Sequence, residues 1–447
     1  MHKKLTIKRS LTIFGILLIG GISSCKKDTA LEITPEPPVA QQPAGNGRDT
    51  ITVGQSVSLH PKLATKSGLT YIWTVNGAPT GTDSVLAFKP DARGDYQIAF
   101  KASNAGGSTA VNYNIHVWGK YENGFFQINE GWFGHGTGTV GFYRYDTQKL
   151  EDSVYTKENP GKTLDPVSST LEYGTIFNNK LFLVSKVGGP IVVTDAYSLK
   201  ETGRVASAGG NDWRAFVGID ANKGLVSSQK GVFPLDLTTL TIGAKIDAIS
   251  GQAGDMIKAG NYVFVLAQTG GVIILNASDY SVAKKISGMV VGFARTPDGA
   301  VWAAGGTSLV KINPTTLDVQ TVTVPFTVFG SWGAWHPGSI TASTKENLVY
   351  LAQNKSFSGG KTIYRYLDGD AASLQNAFIT LPTGKELYGA GIGYNPQTNQ
   401  LQVSTVQSGY GTNYSFNNLY FHDAVTGQLK KDVAYTGYYF PAVSVFH

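Results

Sequence analysis

The sequence predicts an all-β protein, an immunoglobulin-like β-sandwich followed by a seven-bladed β-propeller. Three observations predict it. Short stretches of alternating apolar and polar residues are punctuated by Gly, Pro and Asn along most of the chain. One local motif recurs seven times beyond residue 124. One unpaired strand is left over at the C-terminus. Period-two alternation broken by turn residues is the mark of antiparallel strands.

The chain opens with a targeting segment, residues 1–24. Lys3, Lys4, Lys8 and Arg9 precede the apolar run LTIFGILLIGGI and then Ser23, Ser24 and Cys25. A charged start, a short apolar core and small residues before a cut describe a signal peptide. The run is too short to cross a bilayer comfortably, which takes about 20 residues. The segment ISSC resembles a bacterial lipobox, which would make Cys25, the one cysteine of the chain, the lipidated first residue of the mature protein. A disulfide framework is thereby excluded. Removal of the leader leaves 33 basic against 31 acidic residues, so neither nucleic acid nor an anionic membrane is expected as a partner, and the membrane is reached only through the lipid. Residues 25–47 are Pro-rich and polar and read as a tether.

Residues 48–118 carry the strands TITVGQSVSLHPKL, TYIWTVNG, SVLAFKP, GDYQIAF and VNYNIHV. Asn76-Gly77 is a tight-turn dipeptide, and Trp73 and Tyr96 suit a sandwich core. YIWTVNG and GDYQIAFKASNAGGST resemble the PKD-type immunoglobulin-like modules of bacterial surface proteins. A spacer role is expected, because no loop gathers aromatic or acidic side chains.

Residues 119–447 hold the repeat. A β-run ends in Asp or Asn, polar residues follow, and Leu or Tyr reopens a strand. The motif starts at Asp146, Asp195, Asp236, Asn276, Asn313, Asp368 and Asp423, at spacings of 49, 41, 40, 37, 55 and 55 residues. Periods near 40–45 fit four-stranded propeller blades, and Asp or Asn closes an Asx-turn at a hairpin bend. The first repeat opens on FFQINEG, which aligns with the second strand of later repeats, so its innermost strand is missing. The terminal YYFPAVSVFH is predicted to fill the gap and close the ring at seven blades.

The Asp turns are short and lie on one face. The unusual residues fall on the other, in second-to-third strand loops and blade-to-blade links. The candidate ligand-binding set is Asn129, Trp132, Phe133 and His135 near the first loop, with Asp212, Trp213, Trp332, Trp335 and His336 in links. Phe357, Tyr388, Tyr410, Asn413 and Tyr414 complete it. A rim of Trp and Tyr with a few polar groups has the composition of a small-molecule pocket, although aromatics in such links also serve as plugs between blades. Glu130 and Asp212 are candidates for a carboxylate pair whose separation the sequence leaves open. His135 and His336 have no third His or acidic partner at ligand spacing, so no metal is expected. No cofactor motif or nucleophile arrangement appears, and no enzyme activity is expected.

NEGWFGHGTGTVGFYRYD, the Asp turns, and a lipobox followed by an immunoglobulin-like domain resemble the YncE-like propeller lipoproteins of Bacteroidota. The resemblance implies a binding protein at the cell surface of the outer membrane. In the BtuG branch of that group the propeller captures cobalamin and hands it to a TonB-dependent transporter. A corrinoid ligand and such a transporter are therefore the expected partners. A glycan- or protein-binding component, or a propeller lyase or lactonase, is the alternative.

Overall fold

The computed structural model describes residues 35–64, 68–355 and 358–447. The leader, Cys25 and Phe357 lie outside the described residues, as does the tether up to residue 34. No helix among the described residues is long and apolar enough to cross a membrane.

The small domain is built on a five-stranded sheet in the order Arg48–Thr52, Gly107–Trp118, Gly94–Asn104, Thr70–Val75, Ala78–Gly81. Val57–Leu59 pairs with Leu86–Phe88 as a separate ladder. Along Gly107–Trp118 burial alternates, with Val111, Tyr113, Ile115 and Val117 inward, as a half-buried strand requires. Trp73 is fully buried, its ring centroid 4.7 Å from Phe100 and 6.1 Å from Tyr113, and its indole N–H donates to the Asp83 carbonyl at 2.8 Å. Asn76 and Gly77 sit at φ 50° and 82°, so the dipeptide makes the expected two-residue hairpin between Val75 and Ala78. One difference concerns the tether: Ala40–Gln41 pairs with Lys62–Leu63, so the ordered small domain starts before residue 48. The Ala64 N–H donates to the Val39 carbonyl at 3.0 Å and extends that pairing.

The large unit has seven sheets. Their innermost strands are Pro441–Phe446, Leu171–Phe177, Trp213–Gly218, Ala253–Ala259, Val291–Arg295, Ile340–Ala342 and Lys385–Asn395, and each touches the next around a closed ring. The first blade runs Pro441–Phe446, Gly124–Asn129, Thr139–Arg144, Leu150–Glu151, so the last strand of the chain is the innermost strand of the first blade. Both faces of each blade are covered. Phe125 packs toward Leu419 and Phe421 of the seventh blade, while its neighbour Phe126 packs toward Leu181 and Leu183 of the second. That two-sided burial explains near-continuous apolar runs such as Tyr262–Ala267.

Four of the seven expected Asx-turns form among the described residues. Asp195, Asp236, Asn313 and Asp423 each accept two backbone N–H bonds at 2.7–3.1 Å from residues two and three further on. The residues that reopen the strand, Leu199, Leu240, Tyr280 and Leu317, occupy the left-handed region at φ 55–62°. Two blades depart from the four-strand pattern. In the third, Trp213–Gly218, Lys223–Ser228 and Gly231–Asp236 form the sheet, and a fourth position is reduced to the bridge between Leu235 and Ile242. Pro234 lies in the outermost of the three strands and has no N–H to continue a ladder. In the fifth, the span Val301–Ile312 pairs with Val291–Arg295 through one end and with Val319–Val328 through the other.

Candidate functional site

Loops and links on one face of the ring surround a cavity of ≈ 780 Å³. Its wall is aromatic. Trp132 stacks on Tyr438 at 4.5 Å, Tyr438 on Phe440 at 6.3 Å, and Phe440 meets Tyr388 and Tyr414 edge-on at 5.6 and 6.1 Å. Tyr410 extends the chain of rings at 5.4 Å from Tyr414. Three members reach solvent: Trp132 is 39%, Phe133 55% and Tyr410 74% exposed. Tyr410 and Phe440 hold φ at 59° and 53°, a left-handed backbone that costs a bulky residue roughly 1–3 kcal/mol and concentrates at functional sites.

The loop carrying Trp132 and Phe133 is pinned from below. Gly138 N–H donates to Asp165 at 2.9 Å, Gly134 N–H to the Val167 carbonyl at 2.8 Å, and Glu130 N–H to the Phe440 carbonyl at 2.9 Å. Gly131 turns the loop at φ 76°, where a Cβ would fall 2.4 Å from the Thr137 oxygen.

The floor is charged and buried. His336 Nδ1 lies 2.9 Å from Glu130 Oε1 and 2.6 Å from Glu172 Oε1, and Lys186 Nζ lies 2.7 Å from Glu172 Oε2. Lys186 also donates to the Trp335 carbonyl at 2.9 Å. Burial disfavours the charged form of His336, but the carboxylates of Glu130 and Glu172 outweigh it and lift the pKa to about 9. Burial and then the neighbouring Glu172 charge push Glu130 upward. Burial acts the same way on Glu172, yet His336 and Lys186 carry it below the usual carboxylate range. Tyr388, hydrogen-bonded to Glu130, is raised well above its ordinary value by burial and then by the two carboxylates. One wall adds Asp212, ion-paired with Arg214, which reaches Gln252 at 3.0 Å.

Of the sequence-selected residues, Trp132, Phe133, Asp212, Trp335, His336, Tyr388, Tyr410 and Tyr414 line this cavity. His135 lies behind Trp132, stacked at 4.0 Å. Four others are corrected to structural positions. Trp213 is buried beside Phe216 and Leu235 in the core between the second and third blades. Asn129 is 2% exposed and bonds Thr139 across its own hairpin. Asn413 ties its loop through Ser408 and Gln407. Trp332 packs against the fourth and fifth blades and accepts from Gln252 through its carbonyl. These aromatics and amides are used for packing and loop closure, which residue type alone does not separate from binding. The carboxylate pair weighed from sequence, Glu130 with Asp212, gives way to Glu130 with Glu172. His336 does have acidic partners, contributed by other blades at sequence distances that no ligand-spacing rule spans.

Sequence reasoning missed Glu172, Lys186, Tyr438 and Phe440. Glu172 and Lys186 stand in or beside ordinary strands, and only their burial marks them. Tyr438 and Phe440 were absorbed into the closing strand, though the triplet Tyr438-Tyr439-Phe440 ahead of Pro441 was a visible signal.

The family pattern described as "Domain of unknown function (DUF5074)" matches residues 123–447, and one described as "PKD-like domain" matches residues 37–104. No curated protein gives a significant match. Among solved structures the chain is similar to a quinonprotein alcohol dehydrogenase-like protein from Bacteroides thetaiotaomicron VPI-5482. The TM-score is 0.60 at 19% identity, over 91% of this chain and 99% of that one. At that identity the likeness shows the fold alone. A dihydro-heme d1 dehydrogenase NirN in complex with DHE matches 58% of this chain and 54% of its own, at 14% identity and a TM-score of 0.42.

Proposed function

The chain belongs through residues 123–447 to the family described as DUF5074, and we propose that its propeller captures a small-molecule ligand with a broad flat face in the aromatic mouth. The observation that carries this reading is the unbroken chain of rings from Trp132 to Tyr410 along a cavity of ≈ 780 Å³. That volume lies within the usual range for small-molecule sites, and large exposed aromatics at one opening are uncommon without a ligand. Stacking and desolvation on Trp132, Phe133 and Tyr410 supply affinity, while Asp212 and the Glu130–His336 floor orient polar arms. A corrinoid, a broad ring fringed with amides, is the ligand class we assign. The resemblance to the YncE-like lipoproteins and the lipobox at Cys25 support placement on the outer surface of the outer membrane, with transfer of the ligand to a TonB-dependent transporter.

Titration of the full chain with cyanocobalamin tests this. One-site quenching of tryptophan fluorescence with co-elution of the coloured ligand is expected. No quenching and no co-elution overturns the corrinoid assignment and moves glycan or protein ligands forward. A second reading, a propeller lyase or lactonase, is favoured by the buried Glu130–His336–Tyr388 set facing the same cavity. Proton-transfer chemistry needs such a carboxylate–histidine arrangement. Release of unsaturated product from acidic polysaccharides, or lactone opening, would support it.

A further inference from the structure

Glu130, Glu172 and His336 reach one point from three places in the chain: the end of one strand, the start of another and a blade-to-blade link. All three are at least nine-tenths buried. His336 Nδ1 has carboxylate oxygens at 2.6 and 2.9 Å. Nδ1 has at most one proton to give, and two oxygens compete for it. Oε1 of Glu130 and Oε1 of Glu172 share that one imidazole nitrogen, and Lys186 takes only Oε2 of Glu172. Buried carboxylate oxygens in that position are costly unless a cation sits between them.

We infer that Glu130, Glu172 and His336 form a mononuclear metal site for a divalent first-row ion, Zn²⁺ or Mn²⁺, with its open coordination position on the aromatic cavity. One imidazole nitrogen and two carboxylate oxygens are a borderline-to-hard donor set suited to those ions. Bonds of about 2.0–2.1 Å place neighbouring ligand atoms roughly 2.9–3.4 Å apart, so the two Nδ1–carboxylate distances need to open by only a few tenths of an ångström, and all three ligand atoms already lie within 4.8 Å of one another. Lys186 holds the far oxygen of Glu172 and leaves the near one to the ion. The charges also close. Two carboxylates, Lys186, a divalent ion and one bound hydroxide sum to zero in this buried place. Glu130 and His336 line the cavity whereas Glu172 does not, so the open position faces the mouth. Tyr388, bonded to Glu130, is the outer partner that orients a ligand.

The site stands independently of the organic ligand, and its test contains none. The full chain is stripped with chelator and titrated with Zn²⁺, and separately with Co²⁺ to read visible d–d absorption. One ion per chain is expected, with the Co²⁺ spectrum lost in His336→Ala and in Glu130→Gln. Tyr388→Phe is expected to bind roughly tenfold more weakly, the scale of a lost outer-shell bond. Zn²⁺ should raise the melting temperature of the wild type and leave both ligand variants unmoved, provided their unliganded melting is cooperative. Absence of stoichiometric binding to the wild type, or equal binding by the wild type and either folded variant, overturns the site. In that case the three side chains are a proton-sharing ion cluster.

Discussion

Asp165 sets a pH-dependent stability that a single amide substitution isolates. The residue is 2% exposed, its Oδ1 accepts from Gly138, and its Oδ2 has no partner among the described residues. Burial raises its pKa from 3.8 to about 7, against the opposing pull of the Gly138 bond. The folded value thus lies above the unfolded one. The corresponding stability is fully present below about pH 3.8 and is lost as the pH rises through about 7. At about 1.4 kcal/mol per pKa unit the full loss is on the order of 4 kcal/mol. Asp165→Asn keeps the oxygen that accepts from Gly138 and cannot ionise. It places two N–H donors where the unpartnered oxygen was, a pH-independent cost of about 1–3 kcal/mol. The two stability curves should therefore cross, with the variant weaker at pH 4 and stronger at pH 8. Urea denaturation across that range, following the propeller transition, reads the difference. Asp255, also lifted to about 7 by burial, is present in both proteins and cancels. Curves that run parallel from pH 4 to pH 8 would refute the assignment of a buried, largely unpaired carboxyl.

Three further outcomes are expected. Trp132→Ala and Tyr410→Ala remove exposed rings, so each should weaken cyanocobalamin binding by about 1–3 kcal/mol while far-ultraviolet dichroism and melting stay as in the wild type; they are cleaner probes than Trp335 or Tyr414, which are 3% and 5% exposed. Gly254→Ala puts a methyl 2.3 Å from the Trp335 indole nitrogen and should displace that ring, seen as a shifted tryptophan emission and lost affinity; unchanged emission would contradict the packing. Ending the chain at Thr436 removes the strand paired with Gly124–Asn129, uncovering Phe126 and Ile128, and should abolish cooperative melting and open the ring to proteolysis.

How much of this was legible beforehand differs by element. The Asx-turns could be read because Asp195 and Asp236 act on residues two and three positions away, and such bonds are written in local sequence. The closing strand could be read because blade counting leaves one alternating segment without a partner. The aromatic mouth was read in part. Trp132 and Tyr410 were found on residue type and loop position, but the same criteria drew in Trp213, which is core.

The sequence by itself determined the order of strands and turns, the sandwich followed by seven blades, and the face on which unusual residues gather. Those follow from period-two alternation, short-range hydrogen bonding and an unpaired edge, all of which act between near neighbours. Only the tertiary structure decided that Glu130, Glu172, Lys186 and His336 meet in one buried place, with Tyr438 and Phe440 above them. Ring closure brings residues more than 200 positions apart into contact there, and burial, which no residue carries in its own identity, turns their charges into a site.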